Sequence, residues 1–288
     1  MGKGLPFIEN NCQYHGSLLN LSQLTEARKI FAPFSHLGNI EISKKAANSP
    51  APEISRDFVI RNNKVYSKPA ALRSTISPTF IELLSSLPKH RRPIVVDCDV
   101  APSTGTSDYI KAFPENSVEC GIAENNAATI AGAMGSCGMN VFFSTFGSFA
   151  FGEPYGQLRS CTMNHAPVKI IATHCGLDVG LDGKTHQCID YIGLAANMYH
   201  FCIMVPADSN QMSLAIRYLA SIDEAGGIAT GRSTLPVIKK EDGSIFYDEN
   251  FVFEYGKADW IRQGGNITII TYGTLLHTAV EVSDKLRM

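Results

Sequence analysis

The stretch ENNAATIAGAMGSCGMNVFFSTF, residues Glu124–Phe146, contains a helix pattern and a strand pattern in direct succession. Its first part, ENNAATIAGAMGS, is rich in small residues and indicates a helix. The run NVFFSTF that follows is short and almost continuously apolar, which is typical of a buried strand. A helix that feeds directly into such a strand is the repeating unit of a parallel sheet.

The same alternation extends on both sides of this stretch, from Pro93 to Gly231. Further strands are predicted for PIVVDCDV, VKIIATHCG, FCIMVPAD and GGIATG, and helices for EPYGQLRSCTMNHA, QCIDYIGLAANM and NQMSLAIRYLASID. Apolar strands spaced by such helices form βαβ units, and helices then cover both faces of the parallel sheet. We therefore predict an α/β fold. Because ligands bind at the carboxyl ends of such strands, functional residues should follow the strands.

The composition limits the class of protein. The chain has 288 residues, of which 44% are hydrophobic and 18% charged, as in a globular protein of one or two domains. A net charge of −2 gives no electrostatic argument for nucleic acid or for an anionic membrane surface. No apolar run approaches the roughly 18 residues of a membrane span. The eight cysteines are scattered without a C-x-x-C pair, which indicates reduced thiols in a cytoplasmic protein.

The two ends of the chain differ from this central pattern. Residues 33–68 carry Pro, Ser, Asn and mixed charge with little periodicity, which is typical of a linker. Near the end, NITIITYG predicts one strand and TLLHTAVEVSDKLRM one helix. A lone βα unit cannot bury both of its faces. We therefore expect the truncated beginning of a further domain there.

The stretch GLDVGLDGKTHQ, residues Gly176–Gln187, ends in Gly-Lys-Thr and suggests a phosphate-binding P-loop. Asp178 stands where the P-loop needs its first glycine, and a carboxylate there would repel a phosphate. A zinc site is compatible with the residue types of His174, Cys175, His186 and Cys188. Sequence spacing alone leaves the role of this turn open.

Several segments together resemble the transketolase family. VECGIAENNAATIAGAMGSCGMNVFFSTFGSFAFGEPYGQLR is similar to its pyrimidine-binding domain around the motif G-I-x-E-x-N. HCGLDVGLDGKTHQCIDYIG is similar to its segment H-x-G-x-x-x-G-E-D-G-x-T-H-Q, with Leu181 in place of the usual Glu. VPADSNQ matches the following strand end. GKGLPFIENNCQYHG looks like the tail of the diphosphate-binding first domain, and DWIRQGGNITIITYGTLLHTAVEVSDKL like the start of the third.

The resemblance implies a domain organisation and an activity. It divides the chain into a first-domain tail (1–32), the linker (33–68), a pyrimidine-binding domain (69–240) and the truncated third domain (250–288). The implied activity is thiamine-diphosphate-dependent transfer of a two-carbon ketol unit between sugar phosphates, a reaction of the pentose phosphate pathway. An enzyme similar to deoxyxylulose-phosphate synthase or to a 2-oxo-acid dehydrogenase remains an alternative, as does a non-catalytic interaction subunit.

Three residues acquire implied catalytic roles. Glu124 matches the carboxyl group that bonds the pyrimidine ring nitrogen of the cofactor; a half-buried carboxyl group suits the sharing of that proton. The alternative is a helix-start Glu that interacts with the helix dipole. His186 matches a histidine that faces the sugar, and His15 one near the cofactor's diphosphate. For His15 the alternative is an exposed loop histidine.

The resemblance also implies residues that bind the cofactor ring and the sugar phosphate. Phe146 and Phe149 match aromatic residues of the pyrimidine pocket, since aromatic faces stack on a flat heterocycle; core packing is the alternative for Phe149. The residues matched to the sugar phosphate are Arg73, Ser103, His174, Asp182, His186 and Arg232. Arginine offers a planar fork to phosphate oxygens. Phe142, Phe143 and Phe151 are assigned to the core.

One part of the family's machinery is missing from the sequence. The family holds the diphosphate through Mg²⁺ at a Gly-Asp-Gly segment, and no Gly-Asp-Gly occurs here. The Mg²⁺ ligands are therefore expected outside this chain. The partner would be a second copy in a homodimer or a subunit that carries the diphosphate-binding domain, and the isolated chain is expected to be inactive.

Overall fold

The computed structural model describes residues 5–8, 18–32 and 59–287 of the chain, which divides into two compact units, Met1–Glu53 and Ile54–Met288. The first unit contains helix α1, Leu21–Phe31. Asn20 caps it in a capping box, in which its side chain accepts from the Gln23 amide (2.9 Å) and the Gln23 side chain accepts from the Asn20 amide (3.0 Å). Most of the predicted linker, up to residue 58, lies outside the described residues.

The second unit is built on a six-stranded parallel sheet, as predicted. Its strands are β2 (Ile94–Asp97), β3 (Ser117–Glu119), β4 (Val141–Phe146), β5 (Lys169–Thr173), β6 (Phe201–Met204) and β7 (Ala225–Ala229). Their spatial order is β3-β2-β4-β5-β7-β6, and all neighbours are parallel. Two short strands, β1 (Ala70–Ala71) and β8 (Thr234–Leu235), pair antiparallel beside it.

Helices connect these strands and cover both faces of the sheet. They are α2 (Ile76–Ser86), α3 (Ala101–Thr104), α4 (Ser107–Ala112), α5 (Glu124–Ser136), α6 (Tyr155–Met163), α7 (Tyr191–Ala196), α8 (Ser209–Ser221) and α9 (Leu275–Leu286). Single turns lie at Leu72–Thr75, Lys89–Arg91, Pro114–Asn116, Ser148–Gly152, Gly180–Asp182 and Lys184–His186. The α/β fold class predicted from the sequence is confirmed. Within the described residues no helix combines the length and the hydropathy needed to cross a bilayer.

The side chains of β4 show how the core forms on both faces. Phe142 and Phe143 are adjacent and both fully buried, and successive side chains of a strand point to opposite faces. Phe143 packs in a cluster with residues of α5 and α6, and Phe142 in a second cluster with residues of α2 and α8. The small residues of α5 permit close helix packing, since a Cβ on Gly132 would lie 2.1 Å from Cys161 Sγ on α6.

Two segments that flank the sheet differ from their predicted structure: residues 59–68, predicted as linker, and residues 266–273, predicted as a strand. Residues 59–68 belong to the second unit and pack on helix α8: Asn210 Oδ1 accepts from the Tyr66 amide at 2.7 Å, and its amide group donates to the Tyr66 carbonyl at 2.9 Å. The strand predicted for residues 266–273 does not form, whereas helix α9 follows as predicted. A single strand has no neighbour to pair its backbone groups. Ile267, Ile270 and Tyr272 are exposed in this segment.

Lys169, at the start of β5, yields a prediction about stability. Its side chain is 1% exposed, and burial lowers the pKa of its ammonium group to about 8, although the nearby carboxylate of Asp223 opposes this. The folded pKa lies below the unfolded value of about 10.4, so the unfolded chain binds the proton more tightly. The free energy of unfolding therefore rises as pH increases from 8 to about 10.4.

We expect Lys169→Met to raise the free energy of unfolding at pH 7 by about 1–3 kcal/mol and to flatten its rise above pH 8. Urea denaturation at pH 7, 8.5 and 10 checks both effects. Lys111→Met, at an exposed position on α4, is the matched control and should change neither. A variant that is destabilised at every pH would contradict the interpretation.

Candidate functional site

The candidate residues gather at the carboxyl edge of the sheet. Phe146 ends β4, His174 directly follows β5, and Arg232 lies in the segment after β7. Glu124 begins α5, which follows β3. Because the strands are parallel, these positions share one edge of the sheet, as predicted for an α/β fold.

Four aromatic rings form a cluster at this edge. The ring centroid of Phe146 lies 4.3 Å from that of His174, 5.6 Å from that of His186 and 6.0 Å from that of Phe149. The rings of Phe149 and His186 are 5.2 Å apart. Both phenylalanines are half-buried, in contrast to the fully buried Phe142, Phe143 and Phe151. The assignment of the latter three to the core is confirmed, and Phe149 lies beside His186.

His174 is held in an unusual backbone conformation. Its φ of 59° is in the left-handed region, and its Nδ1 lies 2.9 Å from Thr173 Oγ1. The side chain is buried. Burial lowers the pKa of His174 to about 4, and the positive charge of Arg73 adds to this shift. The imidazole is therefore neutral near pH 7, with one ring nitrogen that donates a hydrogen bond and one that accepts.

The turn Gly176–Gln187 carries the next two candidates. Asp182 ends the single turn Gly180–Asp182, and its Oδ2 lies 3.4 Å from Nη1 of Arg232. His186 ends the next turn, with Nδ1 2.8 Å from Thr185 Oγ1. Leu181, the departure from the family pattern, is fully exposed. The turn thus presents a carboxylate and an imidazole beside the aromatic cluster.

Two arginines from distant parts of the sequence are joined here. Arg73 Nη1 donates to the carbonyl of Arg232 at 2.8 Å, and Arg232 Nη1 donates to the carbonyl of Val179 at 2.7 Å. The structure therefore brings Arg73, His174, Asp182 and Arg232 into one neighbourhood, since the charge of each of the other three also affects the pKa of His174. Two guanidinium groups lie beside this neutral imidazole, and the carboxylate of Asp182 offsets one of the two charges. The positive charge that is left favours an anion.

Asp178 holds this arrangement in place and was missed as a site residue. Its carboxylate accepts hydrogen bonds from both the amide (2.7 Å) and the hydroxyl of Ser233, and its carbonyl accepts from the Arg232 amide at 3.1 Å. The sequence analysis used Asp178 only to reject a P-loop. A carboxylate inside a glycine-rich turn after a strand was the signal for an anchor of this kind.

Glu124 is half-buried at the first position of α5. Burial of the Cys98 thiol, with a further contribution from the charge of Glu124, raises the pKa of Cys98 to about 12. The carboxylate of Glu124 is therefore near the end of β2 as well as at the helix start. Its location is compatible with both the cofactor role and the helix-dipole alternative.

Two carboxyl groups that were not predicted as site residues, Asp97 and Glu119, fix the loops around Glu124. Asp97 Oδ1 accepts from the amides of Val100 and Ala101, both at 3.0 Å. Glu119 Oε1, on the neighbouring strand, accepts from the amides of Asp99 (2.9 Å) and Gly121 (2.8 Å). Burial raises the pKa of Asp97 to about 6, although its hydrogen bonds to the Val100 and Ala101 amides lower it. The charge of Glu119 adds to the increase. An acidic residue inside the apolar run PIVVDCDV was the available signal.

The remaining candidates are less closely connected to this cluster. Ser103 is exposed on the short helix α3, and its amide donates to the carbonyl of Val100 at 2.9 Å. His15 lies outside the described residues. In the part of the chain that the structure describes, no group of three or more His, Cys, Asp or Glu residues converges as a metal site, and the seven cysteines are free thiols.

Comparisons with known proteins identify the family of the chain. The family model "Transketolase, pyrimidine binding domain" matches residues 70–236. A putative transketolase C-terminal section from Methanocaldococcus jannaschii is 31% identical over 75% of this chain and 66% of its own length. Human transketolase-like protein 2 is 28% identical over 99% of this chain, which spans 44% of that relative.

Solved structures give the same result. A split-gene transketolase, described as an inactive β4 tetramer, superposes with a TM-score of 0.65 at 31% identity, over 75% of this chain and 67% of that one. Transketolase from Campylobacter jejuni shares the fold, with a TM-score of 0.55 at 22% identity over 76% of this chain and 34% of that one. The family resemblance found in the sequence is thereby confirmed, and the chain belongs to the transketolase family.

Proposed function

We propose that this chain forms the pyrimidine-binding and sugar-binding half of a thiamine-diphosphate-dependent transketolase. Such an enzyme moves a two-carbon ketol unit from a ketose phosphate to an aldose phosphate. The observation that carries the proposal is the aromatic cluster of Phe146, Phe149, His174 and His186 beside the joined arginines Arg73 and Arg232. Half-buried aromatic rings suit a heterocycle, and arginine side chains suit a sugar phosphate at the same site.

The residues fit the cofactor's pyrimidine ring. Phe146 and Phe149 are half-buried, so part of each ring remains open to a stacked heterocycle. Glu124 supplies a carboxylate at the same edge of the sheet and would hold a proton at the ring nitrogen. When bound, thiamine diphosphate supplies the carbon centre that carries the ketol unit. The aromatic side chains would exclude water from it.

The polar residues are assigned to the substrate. Arg73, Arg232 and Ser103 would bind the phosphate, as the resemblance implies. Asp182 and His186 would contact the sugar hydroxyls and carbonyl. His174, neutral near pH 7, would donate or accept a hydrogen bond without a charge change. His15 would act near the reacting carbon, as the resemblance implies.

The diphosphate and Mg²⁺ would be held by another polypeptide. The donor set present here does not fit Mg²⁺, since no acidic cluster forms among residues 59–287 and no Gly-Asp-Gly occurs in the chain. Four large apolar residues near the candidate site are exposed: Ile122, Leu177, Leu181 and Ile189. Exposed apolar residues beside a candidate site are typical of an interface. We propose that a subunit carrying the diphosphate-binding domain, or a longer copy in a dimer, covers this edge in the cytoplasm.

Product analysis tests the reaction type. The chain would be assembled with a polypeptide that carries the diphosphate-binding domain, and supplied with thiamine diphosphate and Mg²⁺. Xylulose 5-phosphate with ribose 5-phosphate should give transfer products, and pyruvate with glyceraldehyde 3-phosphate should give none. Product formed only from pyruvate with glyceraldehyde 3-phosphate would favour the synthase-like alternative. A stable assembly with no product from either pair would favour the non-catalytic interaction subunit.

Arg232→Ala yields a prediction about phosphate binding. We expect KM for a phosphorylated donor such as xylulose 5-phosphate to rise about 10–100-fold with little change in kcat, since one charge-assisted interaction with the phosphate is lost. Activity with a non-phosphorylated donor such as hydroxypyruvate should change less than about threefold. Initial-rate kinetics with both donors would measure this difference. Arg159→Ala, on the surface of α6, is the matched control, and an equal loss with both donors would contradict the assignment.

A further inference from the structure

We propose that Cys175 and Cys188 form a dithiol modification site that oxidises to an intramolecular disulfide at the base of the turn Gly176–Gln187. The two cysteines flank this turn directly, one at each end. The proposal is independent of the proposed transfer activity, because it concerns bond formation between two side chains of this chain.

The backbone brings the two residues together. Cys175 and Cys188 are partners in an isolated parallel β-bridge, and the Gly176 amide donates to the Cys188 carbonyl at 2.6 Å. Neighbouring strands lie about 4.8 Å apart, within the 4.4–6.8 Å between Cα atoms that disulfides require. A disulfide can therefore close here with little movement of the backbone.

The side chains face each other as well. Both side chains pack against the backbone of Gly147, where an added Cβ would lie 2.6 Å from Cys175 Sγ and 3.0 Å from Cys188 Cβ. The Cys175 thiol donates to the Ala172 carbonyl at 3.5 Å. Both thiols are free and buried. The Cys188 thiol also lies 3.7 Å from Asp190 Oδ1. Two thiols confined in one small space pair with each other more readily than with outside thiols.

The two thiols are buried, and opening of the turn Gly176–Gln187 would expose them to an oxidant. Residues 176–187 contain two single helical turns and no strand, and Leu177 and Leu181 in this segment are exposed at 72% and 101%. Val179 is buried and Asp178 bonds to Ser233, so access to the thiols requires local opening of the turn, which breaks fewer contacts than global unfolding. The pKa of the Cys175 thiol is raised by the neighbouring Cys188 and by burial, so the thiol ionises more readily once the turn opens.

The oxidant is a small disulfide such as glutathione disulfide. A thiolate of the pair attacks one sulfur of the oxidant, which forms a mixed disulfide and releases one glutathione thiolate. The second protein thiol loses its proton and attacks the protein sulfur of that mixed disulfide. The Cys175–Cys188 bond then forms and the second glutathione leaves. Two protein thiols are oxidised, and one glutathione disulfide is reduced to two glutathione molecules.

The bond would restrain the segment that carries two candidate site residues. Asp182 and His186 lie inside the ring that the disulfide closes, and His174 directly precedes Cys175. Closing a loop removes open conformations from it. We therefore expect slower amide hydrogen exchange over residues 176–187 in the oxidised chain, by about tenfold or more.

Mass spectrometry of the full chain tests the proposal. The chain is incubated with glutathione disulfide at pH 8, quenched in acid, alkylated and digested. The expected product is a peptide pair linked through Cys175 and Cys188, with a mass loss of about 2 Da that dithiothreitol reverses. Cys175→Ser and Cys188→Ser should each abolish this link, and the exposed Cys137→Ser should not.

Two results would overturn the proposal. One is full alkylation of Cys175 and Cys188 under conditions in which the exposed Cys137 becomes glutathionylated. The other is a link between Cys98 and Cys120, the neighbouring cysteines of β2 and β3, in place of the expected one. Circular dichroism of each serine variant establishes that it is folded. Hydrogen exchange of the oxidised wild-type chain is independent of any variant, and unchanged exchange over 176–187 would contradict the restraint.

Discussion

Glu124→Gln is expected to lower kcat of the assembled enzyme by about 10²–10⁴-fold, the range for loss of a positioned acid–base group. The carboxylate stands at the half-buried start of α5, at the edge of the sheet that carries the aromatic cluster. Glutamine keeps the shape of the side chain but cannot share a proton with a ring nitrogen. Steady-state kinetics at saturating cofactor measures this effect.

The helix-dipole alternative for Glu124 predicts a different result. Loss of a carboxylate at a helix start costs only about 0.3–1 kcal/mol of stability and leaves the chemistry unchanged. Glu115→Gln is a matched control, because Glu115 is an exposed acidic residue in the first turn of Pro114–Asn116. A Glu124→Gln enzyme that retains more than about a tenth of the wild-type kcat would support the alternative.

Phe142→Ala is expected to lower the free energy of unfolding by about 3–5 kcal/mol. Phe142 is fully buried in the central strand β4, and its ring lies edge-on to that of Phe80 on α2 with centroids 4.8 Å apart. Truncation removes this contact and leaves a cavity between the sheet and the helix. The urea midpoint, followed by far-UV circular dichroism, measures the change.

Phe149→Ala provides the contrast within the same segment. Phe149 is half-buried, so its truncation should cost about 1–2 kcal/mol, less than the effect of Phe142→Ala. It should instead weaken cofactor binding by the assembled enzyme. If the two variants lose equal stability, the assignment of Phe142 to the core and Phe149 to the site would be contradicted.

The part of the fold that follows from local sequence pattern was predictable. The apolar run in β4 and the small residues of α5 identify a strand and a helix without any knowledge of their partners, and α5 begins at Glu124 as predicted. The strand expected over 266–273 fails because a strand requires a hydrogen-bonding neighbour, which local pattern cannot guarantee.

The sequence predicted individual residues of the candidate site but not the contacts between them. The residue types of Phe146, His174 and His186 point to a site after strands β4 and β5, and the family resemblance supplied their roles. The bond between Arg73 and the carbonyl of Arg232 joins residues 159 positions apart, and no local signal indicates it. Asp178 was missed for the same reason, since its partners Arg232 and Ser233 are distant in the sequence.

The most direct test measures thiamine diphosphate binding to the purified chain. It is made with and without a subunit that carries the diphosphate-binding domain, and it decides whether a partner completes the site. Isothermal titration in the presence of Mg²⁺ should show no binding at micromolar concentrations by the chain alone. The assembly should bind the cofactor with micromolar or tighter affinity, weakened by Phe146→Ala. Micromolar binding by the chain alone, or no binding by the assembly, would contradict the proposed division of the site.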